Sequence, residues 1–317
     1  MLKGSHYTKT LLATIIFPTL FLLASCTTPN KVTSNMHTPY LADTHSWLMQ
    51  SRSNNLTYQI SIALPENYRA NETKYNVLYA VDANMEFGTL VETARNLRAM
   101  WMIEDLVIVG IGYNVKGGWN NVMPQRSLDL TPTVDQNWLN ERNTHNLHHQ
   151  LPEYMGTGGA EAFLSFISKE LIPHIEKNYR VKQEGRALFG HSFGGLFATY
   201  ALLQDTPVFE RFIIGSPSLW WGKTDLQEGA IFLQEQRYAS QNASLNAKVF
   251  LAVGALEESP EDVRFAMISN VEKLAATLQQ RQYQELTLST RIFANEHHMS
   301  VIPAQISYGL RAIYSNE

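Results

Sequence analysis

A chain of 317 residues has room for one large α/β domain or two smaller ones, and 44% hydrophobic against 17% charged residues supplies enough apolar material for a sizeable core. The formal net charge of -4 excludes the basic surface that nucleic-acid binding needs. Cys26 is the single cysteine, which excludes an intrachain disulfide, and no internal repeat or low-complexity tract is present.

The first segment stands apart from the fold. Lys3 and Lys9 precede an apolar run from Leu11 to Leu23 that only Thr14, Pro18 and Thr19 interrupt. A charged start followed by a short apolar stretch has the form of a signal peptide and is too short for a clear membrane span. It ends at Leu23-Ala24-Ser25-Cys26, which resembles the lipobox of bacterial lipoproteins. That resemblance implies cleavage after residue 25 and a lipid on Cys26. Thr27, rather than Asp, follows the cysteine, which implies the outer membrane, facing the periplasm. A plain secretory signal, releasing a soluble periplasmic or secreted protein, is the alternative. Residues 26–43 are mostly polar and read as a flexible tether.

From residue 44 to 317 the pattern is that of one α/β domain. His45 to Ser51 and Leu56 to Leu64 are β-rich, the second alternating strictly, with Asn54-Asn55 as a hairpin turn between them. Asn76 to Val81 is nearly all apolar, as a central parallel strand is, and ends at Asp82-Ala83-Asn84. Phe87, Leu90, Val91, Ala94, Leu97 and Met100 follow at helical spacing, then Leu106 to Ile111 as another buried strand. Residues 112–158 lack clear periodicity and read as a long loop insertion, either functional or carrying small structure of its own. Gly159 to Tyr179 reads as a helix that Pro173 kinks or restarts. Strands follow at Ala187 to Phe189, Arg211 to Gly215, Ala247 to Val253 and Leu286 to Phe293. Helices follow at Leu196 to Leu203, Pro260 to Arg281 and from Val301 onward. This alternation predicts a mostly parallel central sheet with helices on both faces and an antiparallel N-terminal edge.

Chemistry concentrates where these strands end. Gly190-His191-Ser192-Phe193-Gly194 reads G-x-S-x-G between a buried strand and a small-residue helix, the context of a nucleophile elbow. A serine hydroxyl needs a base within hydrogen-bond reach, and the base needs an orienting acid. Downstream, one strand runs into Gly254-Ala255-Leu256-Glu257-Glu258 and the last into Glu296-His297-His298. The order Ser, acid, His is that of an α/β-hydrolase fold. Glu257, third after the strand-end glycine, is favoured over Glu258, though spacing does not decide between them. One oxyanion donor is expected at the Phe193 N–H, the other near Asp82-Ala83-Asn84. His145, His148 and His149 lack the partners of a metal cage, so no metal and no cofactor is expected. Trp220 and Trp221 directly follow a strand end and are candidates to line a substrate pocket.

Leu188 to Ala198, Gly215 to Trp221, Asp129-Leu130-Thr131-Pro132 and His298-Met299-Ser300-Val301 resemble the esterase family of α/β-hydrolases that includes enterobactin-type siderophore esterases, S-formylglutathione hydrolase and mycolyltransferases. The resemblance runs from about Asn76 to the C-terminus. It implies His298 rather than His297 as the base, the Asn84 N–H as the second oxyanion donor, and Arg126 facing an anionic or catecholate substrate. Met299 stands where glycine is usual, which would narrow the pocket mouth. The implied partner is a small-molecule ester, including a siderophore lactone, hydrolysed through Ser192, His298 and Glu257. An acyltransferase on the same residues and a non-catalytic surface binding lipoprotein are the alternatives.

Overall fold

The computed structural model describes residues 41–223, 228–259 and 265–315. The signal segment, Cys26, most of the tether and Pro260 lie outside the described residues. Strands β1 (Thr44–Gln50), β2 (Thr57–Ala63), β3 (Asn76–Ala80), β4 (Leu106–Tyr113), β5 (Ala187–His191), β6 (Arg211–Gly215), β7 (Ser244–Gly254) and β8 (Gln284–Phe293) form one sheet in the order β1-β2-β4-β3-β5-β6-β7-β8. β2 pairs antiparallel with β1 and with β4, and every other neighbouring pair is parallel. β3, β4 and β5 are buried along their whole length, which is why they read as unbroken apolar runs. β2 buries alternate residues and keeps the period-two pattern of an outer strand.

Helices α1 (Ala83–Ala99) and α9 (Ile302–Tyr314) cover one face of the sheet. Helices α4 (Ala160–Phe166), α5 (Ile172–Asn178), α6 (Phe193–Leu202), α7 (Ala230–Gln241) and α8 (Met267–Arg281) cover the other. Pro173 does not break its helix. A π-helical stretch, Ile167–Leu171, joins α4 to α5 and widens the helix just before the residue that lacks an N–H.

The segment 112–158, which the sequence reads as a loop, contains α2 (Trp119–Asp129) and α3 (Gln136–His148). Neither has an ordinary helical signature. α2 carries Pro124 inside it, and Asn146 is the one buried residue of α3. α3 is held instead at its start, where Asp135 accepts the Trp138 N–H at 2.8 Å. A helix polar on nearly all sides leaves no periodic trace to find.

Candidate active site

The turn from β5 to α6 carries Ser192 and is over-determined. A Cβ on Gly190 would lie 2.1 Å from the Gly194 carbonyl oxygen, so only glycine fits there. Ser192 itself holds φ +62°, ψ -118°, a strained conformation for a residue with a side chain. Its backbone is pinned on both sides. The N–H donates to the Gly215 carbonyl at 2.9 Å, and the carbonyl accepts from Leu196 N–H at 2.9 Å and Ser218 N–H at 3.1 Å. The strain thus rests on three bonds to α6 and to the chain at the end of β6.

β7 ends at Gly254, and the Glu257 carboxylate folds back beneath it with its side chain only 1% exposed. Glu257 Oε1 accepts the Gly254 N–H and the Ser216 hydroxyl, both at 2.6 Å. Oε2 lies 2.6 Å from His298 Nδ1. The His298 side chain is 37% exposed, so its Nε2 is the nitrogen left for the cleft. Glu258 goes elsewhere: it accepts the Ile268 and Ser269 N–H groups and the Ser269 hydroxyl at the start of α8. Burial pushes its carboxyl up, but those three bonds outweigh burial and hold it below the ordinary range. His297 is exposed, and its N–H is held by Ser300 Oγ at 3.0 Å.

Phe193 and Asn84 stand in the first turns of α6 and α1, where backbone N–H groups have no partner four residues earlier. The Asn84 side chain is tied to β4: it donates to the Tyr113 carbonyl at 3.0 Å and accepts the Tyr113 N–H at 2.6 Å.

Arg126 needs correction. Instead of facing a substrate it is buried, with Nε 2.9 Å from both Asp82 oxygens and Nη2 3.3 Å from the His191 carbonyl. Its guanidinium is sandwiched at 5.0 Å from the Trp119 ring and 5.1 Å from the Phe193 ring. Asp82 compensates its charge, so it braces the β3–α1 turn against the β5–α6 turn from below.

Ser192, Phe193, Glu257, His297 and His298 line a cleft of about 580 Å³. Trp119, Trp138, Tyr154, Trp220 and Phe265 give it aromatic walls. Trp220 therefore lines the cleft, while its neighbour Trp221 supports the wall from behind. Trp221 is fully buried, donates its indole N–H to Thr133, and packs edge-on against Trp138 and Phe193 at 5.3 Å each. Among the described residues the cleft's arginine is Arg142, which the sequence reading missed. It sits one helical turn after Trp138 on α3, its Cζ 5.7 Å from the indole centroid, and among the described residues its buried Nε has no hydrogen-bond partner. The i, i+4 spacing of Trp138 and Arg142 was the available signal. His145 and His149 pack ring to ring at 4.4 Å at the C-terminal end of α3, and among the described residues no group of three His, Cys, Asp or Glu side chains is placed to hold a metal.

Known proteins share this architecture. The family model described as "Putative esterase" matches residues 51–303. The chain is similar to the ferri-bacillibactin esterase BesA of Bacillus subtilis, 33% identical with 89% of this chain and 92% of the relative covered. It is similar to a siderophore enterobactin esterase of Emericella nidulans, 31% identical over 80% of this chain and 88% of the relative. A solved structure of a BES protein from Bacillus cereus superposes with a TM-score of 0.73 at 29% identity, covering 90% of this chain and 99% of that one. With a strand–turn–helix serine, a mostly parallel sheet and a family match over most of its length, the chain belongs to this esterase family, a carboxylic ester hydrolase on the α/β-hydrolase fold.

Proposed function

We propose that the chain is a serine esterase acting on the ester bonds of an aromatic, anionic siderophore through Ser192, His298 and Glu257. The observation that carries this reading is the 2.6 Å bond between His298 Nδ1 and Glu257 Oε2 in the cleft that Ser192 lines. It leaves Nε2 as the free base. Ser192 Oγ attacks the ester carbonyl as His298 Nε2 takes its proton. The tetrahedral oxyanion is held by the N–H groups of Phe193 and Asn84 at two helix starts, where the helix dipole favours negative charge. Collapse breaks the ester bond, and the imidazolium gives its proton to the departing alcohol. Water, deprotonated by the same ring, then releases the acid and restores Ser192.

The substrate assignment rests on the cleft's chemistry and on the relatives' named substrates. The six aromatic rings and the Arg142 guanidinium among the described lining residues suit flat, electron-rich, negatively charged groups. The test is hydrolysis of a ferric trilactone siderophore beside an uncharged short-chain ester, with products identified by mass. Preferential linearisation of the trilactone supports the reading, and turnover of the simple ester alone overturns the substrate assignment. We also propose that a lipid on Cys26 holds the protein to the outer membrane, facing the periplasm. Palmitate labelling that vanishes in Cys26→Ala would support this, and an unlabelled soluble protein would overturn it.

A further inference from the structure

Behind Glu257 runs a second buried chain of hydrogen bonds that the reaction above does not use. Gln305, on α9, is fully buried. Its Nε2 donates to Ser216 Oγ at 2.7 Å and to the Ala252 carbonyl at 3.4 Å, while its Oε1 lies 3.0 Å from His191 Nδ1. The space is tailored to this amide, since a Cβ on Gly215 would fall 2.3 Å from Gln305 Oε1.

The proton positions follow from valence alone. Both amide hydrogens of Gln305 are committed, so Oε1 accepts and His191 carries its proton on Nδ1. Ser216 Oγ accepts from Gln305, so its single proton goes to Glu257 Oε1, 2.6 Å away. The Gly254 N–H adds a second donor to the same oxygen. Apart from the Gln305 hydrogen held by Ala252, the donors of the chain run toward Oε1, leaving Oε2 to His298 Nδ1. At the far end, His191 packs against His298 with ring centroids 4.6 Å apart. Burial, and then the neighbouring His298, hold the His191 imidazole well below its ordinary range. A neutral His191 places no second positive charge against an imidazolium at His298.

We infer that Gln305 and Ser216 are positioning residues for the ester hydrolysis. Gln305 aims the Ser216 hydroxyl at Glu257 Oε1 beside the Gly254 N–H, and these two donors turn Oε2 onto His298, keep its proton on Nδ1 and leave the Nε2 lone pair for Ser192. This rests on the Ser192, His298 and Glu257 reading above. A buried polar chain that only satisfied itself would predict something else: shape-conserving replacements would leave catalysis alone.

Two variants separate the possibilities. Ser216→Ala removes one oxygen. Gln305→Glu keeps the shape, but its carboxylate cannot donate, so the Ser216 proton turns away from Glu257. Residues that orient a metal-bound histidine or carboxylate in the same way are typically worth about 10- to 100-fold, and a similar size is expected for a partner of the triad carboxylate. Each variant is therefore expected to lower kcat by roughly 10- to 100-fold with KM within about twofold, the pattern of an interaction made in the transition state. The downfield Nδ1–H proton resonance of His298 should weaken or move upfield in both. Thermal unfolding checks that each variant is folded, and if Gln305→Glu fails to fold, Ser216→Ala carries the test. Wild-type kcat and an unchanged resonance in folded Ser216→Ala, with kcat lowered at least about 100-fold by Glu257→Gln, would overturn this inference and leave the triad reading standing. Wild-type kcat in Glu257→Gln would instead overturn the triad reading.

Discussion

Two carboxylates flank the turn that carries Ser192, and they are used in opposite ways. Asp82 holds Arg126, whose charge is permanent, and the pair is closed off from water on all sides. Glu257 holds His298, whose charge is conditional and whose ring is partly exposed. The first pair cannot respond to a reacting group, so it serves as a strut between two turns. In the proposed mechanism the second gains and loses one positive charge per cycle. Two carboxylate–cation pairs beside one turn thus divide into a fixed brace and, on that proposal, a responsive base, and the difference lies in the partner rather than in the carboxylate.

That division can be broken from either side. Glu257→Gln removes the responsive pair's charge while keeping its shape, and kcat should fall by about 10²- to 10⁴-fold, measured on a chromogenic ester. Its stability should shift by no more than about 1 kcal/mol, because His298 retains solvent contact. Asp82→Asn should do the reverse first. It strands a buried guanidinium, an effect of about 3–5 kcal/mol, and denaturant unfolding should show that loss directly. If Asp82→Asn left the unfolding midpoint unchanged, the brace would not exist.

Arg142 sharpens the comparison from the substrate side, because among the described residues the carboxylate paired with it is the exposed Glu141, 3.8 Å away. Arg142→Gln should raise KM for an anionic ester by roughly tenfold and leave an uncharged ester nearly unaffected. Equal effects on both esters would remove it from substrate recognition.

A third carboxylate shows what happens with no cation at all. Asp129 accepts the Tyr58 hydroxyl at 2.9 Å and Gln125 Nε2 at 3.3 Å, and burial pushes its carboxyl up to about 7. Burial, and then the Asp82 charge, push Glu86 up to about 7 as well. A folded-state value above the unfolded one means the folded chain keeps a proton that the unfolded chain has lost. These two groups therefore contribute a loss of stability as pH rises from about 4 to about 7, and no further loss above that. Asp129→Asn should remove its share, so the unfolding midpoint should change less between about pH 5 and about pH 8 than in the parent chain. An unchanged pH dependence would mean that Asp129 stays ionised in the fold.

How much of this was legible depends on how local each requirement is. Gly190, Ser192 and Gly194 announce their turn because the chain must bend there within five residues. Glu257 and His298 each follow a strand end, and strand ends are visible in an apolar run. Arg126 was misplaced because its partner lies 44 residues earlier, and nothing local marks Asp82 as that partner. Trp220 and Trp221 are adjacent yet face different surroundings, which only tertiary packing decides. α3 was invisible because it buries almost nothing, so Arg142 went with it. The buried chain from His191 to Glu257 joins the C-terminal ends of β5, β6 and β7 to α9, and Gln305 gives no hint of this in its own neighbourhood.

The account stands on Ser192 being an activated nucleophile. A fluorophosphonate probe followed by mass mapping tests this most directly. It should leave a single adduct on Ser192 in the parent chain, with labelling at least about 100-fold slower in His298→Ala. Folded parent protein that carries no adduct at Ser192, or labels there equally fast without His298, would contradict it.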